Sequence, residues 1–128
     1  MDDSKRGACL QKALDLFDSS NVKVEVHDKA WAQEQGMNAY LAVAQGSEET
    51  PLFLEITYNN EPKQEKPIVI VGKGITFDSG GISIKPSANM DKMRGDMGGA
   101  ACTLATLYAV SKLQLPLHVK GKVRCNIY

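Results

Sequence analysis

The chain has 128 residues, a length that fits one small domain. Fifteen basic and fifteen acidic residues give a formal net charge of zero, so no overall field favours nucleic acid or an anionic membrane. Hydrophobic residues make up 43% of the chain, which is typical of a globular protein and excludes a disordered one. The sequence contains no apolar stretch long enough to span a bilayer and no secretory signal, which predicts a cytoplasmic location.

The cysteines and the basic residues argue against two further kinds of site. Cys9, Cys102 and Cys125 are widely spaced and form no Cys-x-x-Cys pair, so we expect reduced thiols rather than a zinc knuckle or a disulfide framework. The nearest approach to a basic run, residues 118–124, is too short and too unpatterned to indicate nucleic-acid binding.

The spacing of apolar residues predicts alternating helices and strands. A helical stripe over residues 8–17 comes first, and an alternating strand over 22–26 follows it. The later predicted elements are one or two helices over 30–40 interrupted by Gly36, a strand over 52–58, a polar loop over 59–67, a strand over 68–71, a helix over 97–113 with Gly98 and Gly99 allowing close packing, and a strand over 115–119. The 68–71 strand is continuous and β-branched, which is typical of a central strand covered on both faces. This order predicts an α/β fold of three layers, with a largely parallel central sheet and flanking helices.

The segment after the 68–71 strand concentrates the residues that could carry chemistry. It contains Lys73, Asp78, Ser83, Lys85, Asp91, Arg94 and Asp96 among several glycines. In open α/β sheets, ligands bind outside the carboxyl ends of the strands. Carboxylates bind hard or borderline cations, and a lysine beside them must either pair with them or lose its proton. Residue types alone leave two interpretations open, a ligand site or a solvated loop with Lys–Asp ion pairs.

The spacing of the glycines disfavours nucleotide binding. In a Walker loop a Ser or Thr follows Gly-Lys, whereas Gly74 and Ile75 follow Lys73. The Gly-x-Gly-x-x-Gly dinucleotide pattern also fails, because Phe77 stands where its third glycine belongs.

The order of residues between Val71 and Ala101 is far more specific than its composition. This segment contains VGKGITFDSGG at 71–81, SIK at 83–85, MDKM at 90–93 and DMGGAA at 96–101. It resembles the catalytic domain of the cytosolic leucyl aminopeptidase family, with matching spacing throughout. Residues around His27, Trp31, Met37 and Glu55 are also similar to the start of that domain. The resemblance covers roughly residues 22–117.

The resemblance implies a site for two divalent cations, which would be Zn²⁺, Mn²⁺ or Mg²⁺ and would activate a water molecule. Lys73 would bind one cation through its neutral amine, Asp78 would bridge both, and Asp96 would bind the same cation as Lys73. Lys85 would stay charged and stabilise the oxyanion of the tetrahedral intermediate. Met93 would line the pocket for the first side chain of the substrate, which suits apolar residues such as leucine.

The resemblance also implies an activity and an assembly. Family members are metalloaminopeptidases that release N-terminal residues, leucine preferred, from peptides, and they form homo-hexamers. The family's other metal ligands and its active-site arginine lie in an Asn-Thr-Asp-Ala-Glu-Gly-Arg segment that this sequence does not match. We therefore expect at most one weakly held cation here. The alternative interpretation is a catalytically inactive chain that at most binds full-length family members.

The expected domain limits follow from where the resemblance stops. Residues 1–117 are interpreted as the N-terminal portion of the family's catalytic domain, and residues 118–128 as a divergent tail. We accordingly expect the sheet to be incomplete relative to the family domain.

Overall fold

The computed structural model describes residues 8–17, 21–61, 63 and 66–126, which form a mixed α/β domain. No helix among these residues is both long and apolar enough to cross a bilayer. In chain order the elements are α1 (Ala8–Phe17), β1 (Val22–His27), α2 (Lys29–Glu34), α3 (Asn38–Ala44), β2 (Leu52–Asn59), β3 (Ile68–Ile75), a 3-10 helix (Met90–Met97), α4 (Gly98–Lys112) and β4 (His118–Asn126).

Residues 30–40, for which one or two helices were predicted, form two helices that are separated at Gly36. Its φ is +65°, a left-handed conformation that glycine adopts without the steric cost of a Cβ atom. Two short helices therefore form, and Asp28 begins the first by accepting a hydrogen bond from the Trp31 N–H at 2.9 Å.

The sheet is mixed, and the expectation of a largely parallel sheet is wrong for the described strands. Its order is β1-β2-β4-β3, in which β1–β2 and β2–β4 are antiparallel and only β3–β4 is parallel. A parallel connection needs a crossover element that spans the sheet. Helix α4 has 15 residues and does so, at about 1.5 Å per residue. Helices α2 and α3 have only 6 and 7 residues, and the strands that they connect, β1 and β2, pair antiparallel.

Strands β3 and β4 differ from their predicted positions. We expected β3 to be central, but among the described residues it pairs only with β4, and Val71 is 74% exposed. It also extends to Ile75, so Lys73 lies in the strand and not in the loop after it. The strand predicted over 115–119 begins at His118 and runs to Asn126, between β2 and β3. The bounds and positions of β3 and β4 depend on which strands pair in the sheet. The local pattern of residues does not show that pairing.

One face of the sheet, here called the core face, holds the main hydrophobic core. Leu54, Ile56 and Tyr58 alternate along β2 with no exposed surface, and Val123 lies opposite Leu54 on β4. Helices α1 and α4 cover this face with buried Leu10, Ala13, Phe17, Ala100, Leu104, Leu107 and Val110. The apolar stripes of the two helices therefore predict the helical part of this core correctly.

The opposite face, here called the site face, carries a small aromatic cluster and several charges. Phe53 packs with Tyr40 and Ala32 of the two short helices, and Trp31 stacks on His27 with ring centroids 3.9 Å apart. Further along the same face, Glu55 forms an ion pair with Lys122 at 2.7 Å. Helices on both faces make three layers, as predicted.

Candidate active site

The end of β3 is surrounded by three segments that supply polar side chains. Lys73 lies on the site face beside Arg124 of β4. After Ile75 the chain leaves the sheet, and it returns as the 3-10 helix that leads directly into α4. Because α4 packs along β3, the 3-10 helix is held close to the end of that strand.

Two glycines allow this close packing of α4 on β3. A Cβ atom on Gly72 would lie 2.5 Å from the Gly99 carbonyl oxygen, and one on Gly99 would lie 2.7 Å from the Lys73 backbone nitrogen. Both distances are shorter than non-bonded atoms tolerate, so neither position accepts a larger residue without movement of the backbone. Of the predicted Gly98–Gly99 pair, Gly99 makes the close approach, whereas a Cβ atom on Gly98 would meet nothing within 4 Å.

The five residues implicated by the family resemblance lie together. The Lys73 ammonium is 2.9 Å from Asp96 Oδ2 and 3.9 Å from Asp78 Oδ2. The Lys85 ammonium is 2.9 Å from Asp78 Oδ2, and it also donates to the Asp78 carbonyl oxygen at 3.2 Å and to Met93 Sδ at 3.4 Å. Asp78 is thus shared by both lysines, and it links the Asp96 side of the site to the Met93 side.

A tight turn brings Lys85 back to Asp78. Gly80 has a φ of +93°, and a Cβ atom there would lie 2.5 Å from the Ser83 carbonyl oxygen, so the turn requires glycine. The Lys85 N–H donates to the Ser79 carbonyl oxygen at 2.9 Å and closes the turn. The Gly80 N–H donates to Asp78 Oδ1 at 3.0 Å and fixes the carboxylate.

Asp78 is held in its charged form. Its pKa lies below the ordinary value, chiefly because Lys85 hydrogen-bonds to the carboxylate, and then because of the Gly80 N–H and the charges of Lys85 and Lys73. Slight burial acts in the opposite direction and is outweighed. An anionic carboxylate that is paired with two ammonium groups can bind a metal cation in place of either ammonium group.

The donor set fits a divalent cation only in part. Asp78 and Asp96 offer hard oxygen ligands, and the Lys73 amine within 3.9 Å of both could add a nitrogen once it loses its proton. Within the described ranges, no group of three or more His, Cys, Asp or Glu side chains could hold a metal. These side chains therefore supply three ligands at most, and water would have to complete the coordination shell.

The cluster opens into a cavity of about 730 Å³. Lys73 and Asp78 line it from β3 and the loop, Gly80 and Ile82 from the turn, and Arg124 from β4. The remaining lining residues are Ala42, Val43, Gln45, Gly46, Ile75, Gly81 and Ser83. A cavity of this size can hold a small molecule or a short peptide.

Comparison with known proteins decides the family. The model of the cytosol aminopeptidase family, catalytic domain, matches residues 6–126. The chain belongs to the cytosol aminopeptidase family. Cytosol aminopeptidases from Mus musculus and Homo sapiens are 57% and 55% identical to it over 104 residues, which is 80% of this chain and 20% of each relative. The chain therefore spans about a fifth of the length of the curated relatives it matches.

Solved structures agree with the family and the fold. The bottromycin maturation enzyme BotP in complex with Mn superimposes with a TM-score of 0.81 and 38% identity, over 91% of this chain and 25% of that one. Leucine aminopeptidase LAP1 of Caenorhabditis elegans gives a TM-score of 0.83 and 25% identity, over 94% of this chain and 25% of that one. The resemblance inferred from the sequence motifs is thereby confirmed at the level of the family.

The range of the family match bears on residues 118–128. We expected the resemblance to stop at Leu117, yet the cytosol aminopeptidase model extends to residue 126 and includes all of β4. Strand β4 also occupies an inner position of the sheet, between β2 and β3. The family match and strand β4 both continue past Leu117, and the domain limit itself stays a prediction.

The sequence interpretation missed Arg124 as a residue of the cavity. Residues 118–125 alternate, and Val119, Gly121, Val123 and Cys125 are all buried. That period of two is the signal of a strand with one covered face. It would have placed Arg124 on the face opposite Val123, where Lys73 also lies.

Proposed function

We propose that the chain carries the cation-binding and oxyanion-stabilising part of a cytoplasmic metal-dependent aminopeptidase, which releases N-terminal residues, leucine preferred, from peptides. Membership of the cytosol aminopeptidase family supports the reaction class. The observation that carries the proposal is the contact between the two lysines and the two aspartates around one carboxylate, Asp78.

In this proposal Lys73, Asp78 and Asp96 hold the divalent cation, which is Zn²⁺, Mn²⁺ or Mg²⁺. Such a cation polarises a peptide carbonyl and makes a bound water more acidic. Asp78, with its lowered pKa, supplies an anionic ligand at neutral pH, and Asp96 supplies another once Lys73 releases it. The neutral Lys73 amine then remains within reach of the same position.

Lys85 has the electrostatic role. Its ammonium group is held on one side of the site by the Asp78 carboxylate and carbonyl oxygen and by the Met93 sulfur. A fixed positive charge at that point stabilises negative charge that develops on the carbonyl oxygen of the substrate. Met93, 3.4 Å from that ammonium group, offers an apolar and adaptable surface for the first side chain of the peptide.

Isothermal titration calorimetry, in which Mn²⁺ is added to the 128-residue chain, tests the cation site. We expect Asp78→Asn to weaken binding at least about tenfold, because it removes a charged ligand. Asp91→Asn is the matched control, since Asp91 is an exposed carboxylate on the adjoining 3-10 helix. Equal binding by wild type and Asp78→Asn would show that the cation assignment is wrong.

Hydrolysis of a leucine chromogenic amide with Mn²⁺ present tests the reaction. Lys85→Ala is expected to lower kcat by about 10²–10³, as loss of one oxyanion donor does in other enzymes. Lys92→Ala removes an exposed lysine nearby and serves as the control. Turnover that disappears in Lys85→Ala would exclude the alternative of an inactive chain that only binds full-length family members. Absence of turnover by the wild-type chain would favour that alternative.

A further inference from the structure

Arg124 lies in one row with the candidate active site. The pairing registers align His27 with Phe53, Phe53 with Arg124, and Arg124 with Lys73, so these four residues cross the whole sheet on the site face. In the antiparallel β1–β2 and β2–β4 pairs, directly opposite side chains have Cβ atoms about 4.5–5.5 Å apart. Strands β3 and β4 are parallel neighbours about 4.8 Å apart, so Lys73 lies beside Arg124. Arg124 and Lys73 also line the same cavity.

The guanidinium group of Arg124 has no carboxylate partner among the described residues. Lys73 is paired with Asp96, and Lys85 with Asp78, so those four charges balance. Arg124 adds one uncompensated positive charge to the cavity. Neither an ion pair nor a side-chain hydrogen bond of Arg124 occurs in the part of the chain that the structure describes.

An aromatic ring holds the guanidinium in place. The Arg124 Cζ atom lies over the Tyr40 ring, 5.7 Å from its centroid. Tyr40 itself is only 4% exposed, and its ring packs against Phe53 at 6.1 Å, so it forms a rigid support. A cation–π contact forms no hydrogen bond, so the guanidinium N–H groups can still donate to a ligand. That arrangement suits bidentate binding of a carboxylate.

The dimensions of the site restrict the length of the ligand. Neighbouring strands lie about 4.8 Å apart, and an extended peptide advances about 3.3–3.6 Å per residue. Because Lys73 and Arg124 are paired on neighbouring strands and line the same cavity, a peptide whose first residue lies at Lys73 and Asp78 places its second residue in the part of the cavity that Arg124 lines. In a dipeptide, that second residue carries the C-terminal carboxylate.

We propose that Arg124 binds the C-terminal carboxylate of the peptide substrate and so makes the site selective for dipeptides with a free carboxylate. The inference rests on the proposed function, because the cation site has to hold the amino-terminal residue. It adds a specificity-determining residue on β4 that is separate from the Lys73, Asp78, Asp96 and Lys85 cluster. Because Arg124 lines the cavity and has no carboxylate partner among the described residues, amidation of the ligand carboxylate should remove the selectivity.

Calorimetry with a leucyl-glycine analogue tests this inference. The peptide bond is replaced by CH₂–NH so that no hydrolysis occurs, and the free acid is compared with the C-terminal amide on the wild-type chain in Mn²⁺. We expect the acid to bind about tenfold more tightly or better, which is the range for a charge-assisted, bidentate contact. Equal affinities would overturn the proposal without the need for any variant.

Variants then assign the selectivity to Arg124. In Arg124→Gln the difference between acid and amide should disappear, and Arg124→Lys should retain part of it, since the charge remains but the bidentate geometry is lost. Lys120→Gln removes a charge from the same strand and face, four residues away or about 13 Å, and should leave the difference intact. A preference for the acid that persists in Arg124→Gln would assign the carboxylate to another cation and overturn the proposal.

A further ligand separates the two sources of a carboxylate. The leucyl-glutamate analogue with an amidated C-terminus carries its only carboxylate on the side chain, and it should bind no better than the leucyl-glycine amide. Tighter binding of this ligand would refute the C-terminal assignment. The outcomes remain distinct from those for the proposed function: lack of leucine amide hydrolysis would contradict the function, whereas equal binding of acid and amide contradicts only the role of Arg124.

Discussion

The two faces of the sheet have different roles: the core face stabilises the fold, and the site face carries the candidate active site. On the core face, Leu54, Ile56, Tyr58 and Val123 are completely buried under α1 and α4. On the site face, alternate positions of the same two strands carry Glu55, Lys122 and Arg124, and β3 adds Lys73. The apolar part of this face is a small aromatic cluster around Phe53. The period of two in a strand thus lets one β4 residue, Val123, stabilise the fold while the next, Arg124, lines the cavity.

The ionised groups that are available to a ligand lie on the site face. Apolar burial on the core face supplies the free energy that orders the strands, so the site face can hold ionised groups in partly hydrated positions. Lys73, for instance, keeps 47% of its side chain exposed although its neighbour Gly72 is packed against α4. Substitutions on the two faces should therefore affect different properties, and the following predictions test that separation.

The largest expected effect is on the core face, for Leu107→Ala. Leu107 of α4 is fully buried and packs beside Gly121 of β4, so its truncation leaves a cavity. We expect the free energy of unfolding, measured by urea denaturation, to fall by about 2–5 kcal/mol. Leu113→Ala makes the same chemical change at a residue that is 69% exposed, and it should stay within about 0.5 kcal/mol of wild type. Similar losses in both variants would contradict the assignment of the core.

An intermediate effect is expected where the two faces meet, for Gly72→Ala. The added methyl group would lie 2.5 Å from the Gly99 carbonyl oxygen and would push α4 and the 3-10 helix away from β3. Such overpacking costs about 1–3 kcal/mol of unfolding free energy. Because the 3-10 helix carries Asp96, the affinity for Mn²⁺ should fall as well, even at temperatures where the variant is folded.

Gly98→Ala provides the matched control for this glycine. Gly98 has a helical φ of −57° and open space around its Cα atom, so alanine there should leave stability unchanged or raise it by up to about 1 kcal/mol. If Gly72→Ala behaved like Gly98→Ala, the close contact between β3 and α4 would not hold the site together.

The local part of this structure was predictable from the sequence. The helical stripe over residues 8–17, the alternating strand over 22–26 and the helix after Met97 all correspond to observed elements. Each depends on side chains a few residues apart, which periodicity reports directly. The meeting of Lys73, Asp78, Lys85, Met93 and Asp96 was predicted only through the family resemblance, since their composition also suited a solvated loop.

The sheet topology and Arg124 were not predictable in the same way. Strand–helix–strand order suggested parallel pairing, but β1 and β2, which two short helices connect, pair antiparallel. The edge position of β3 depends on which strands pair with it, a non-local property. Arg124 was missed because residues 118–128 were interpreted as an unrelated ending, although their alternation was visible. The metal, catalytic and substrate roles of the site residues stay predictions until they are measured.

The smallest expected effect concerns Glu55, a charge of the site face that is away from the cavity. The hydrogen bond from Lys122 is the main cause that holds the Glu55 pKa below its ordinary value of 4.5, and burial opposes it. The Lys122 charge and then the hydrogen bond and charge of His27 lower this pKa further. A lowered folded-state pKa stabilises the fold above pH 4.5, and this contribution is lost as the pH falls through the folded-state value. Glu55→Gln should therefore cost less than about 1 kcal/mol at pH 7 and should make stability fall less steeply below pH 4.5.

The control Glu34→Gln, at an exposed site on α2, should follow the wild-type acid profile in urea titrations at each pH. An unchanged profile for Glu55→Gln would mean that Lys122 and His27 confer no stability through this carboxylate.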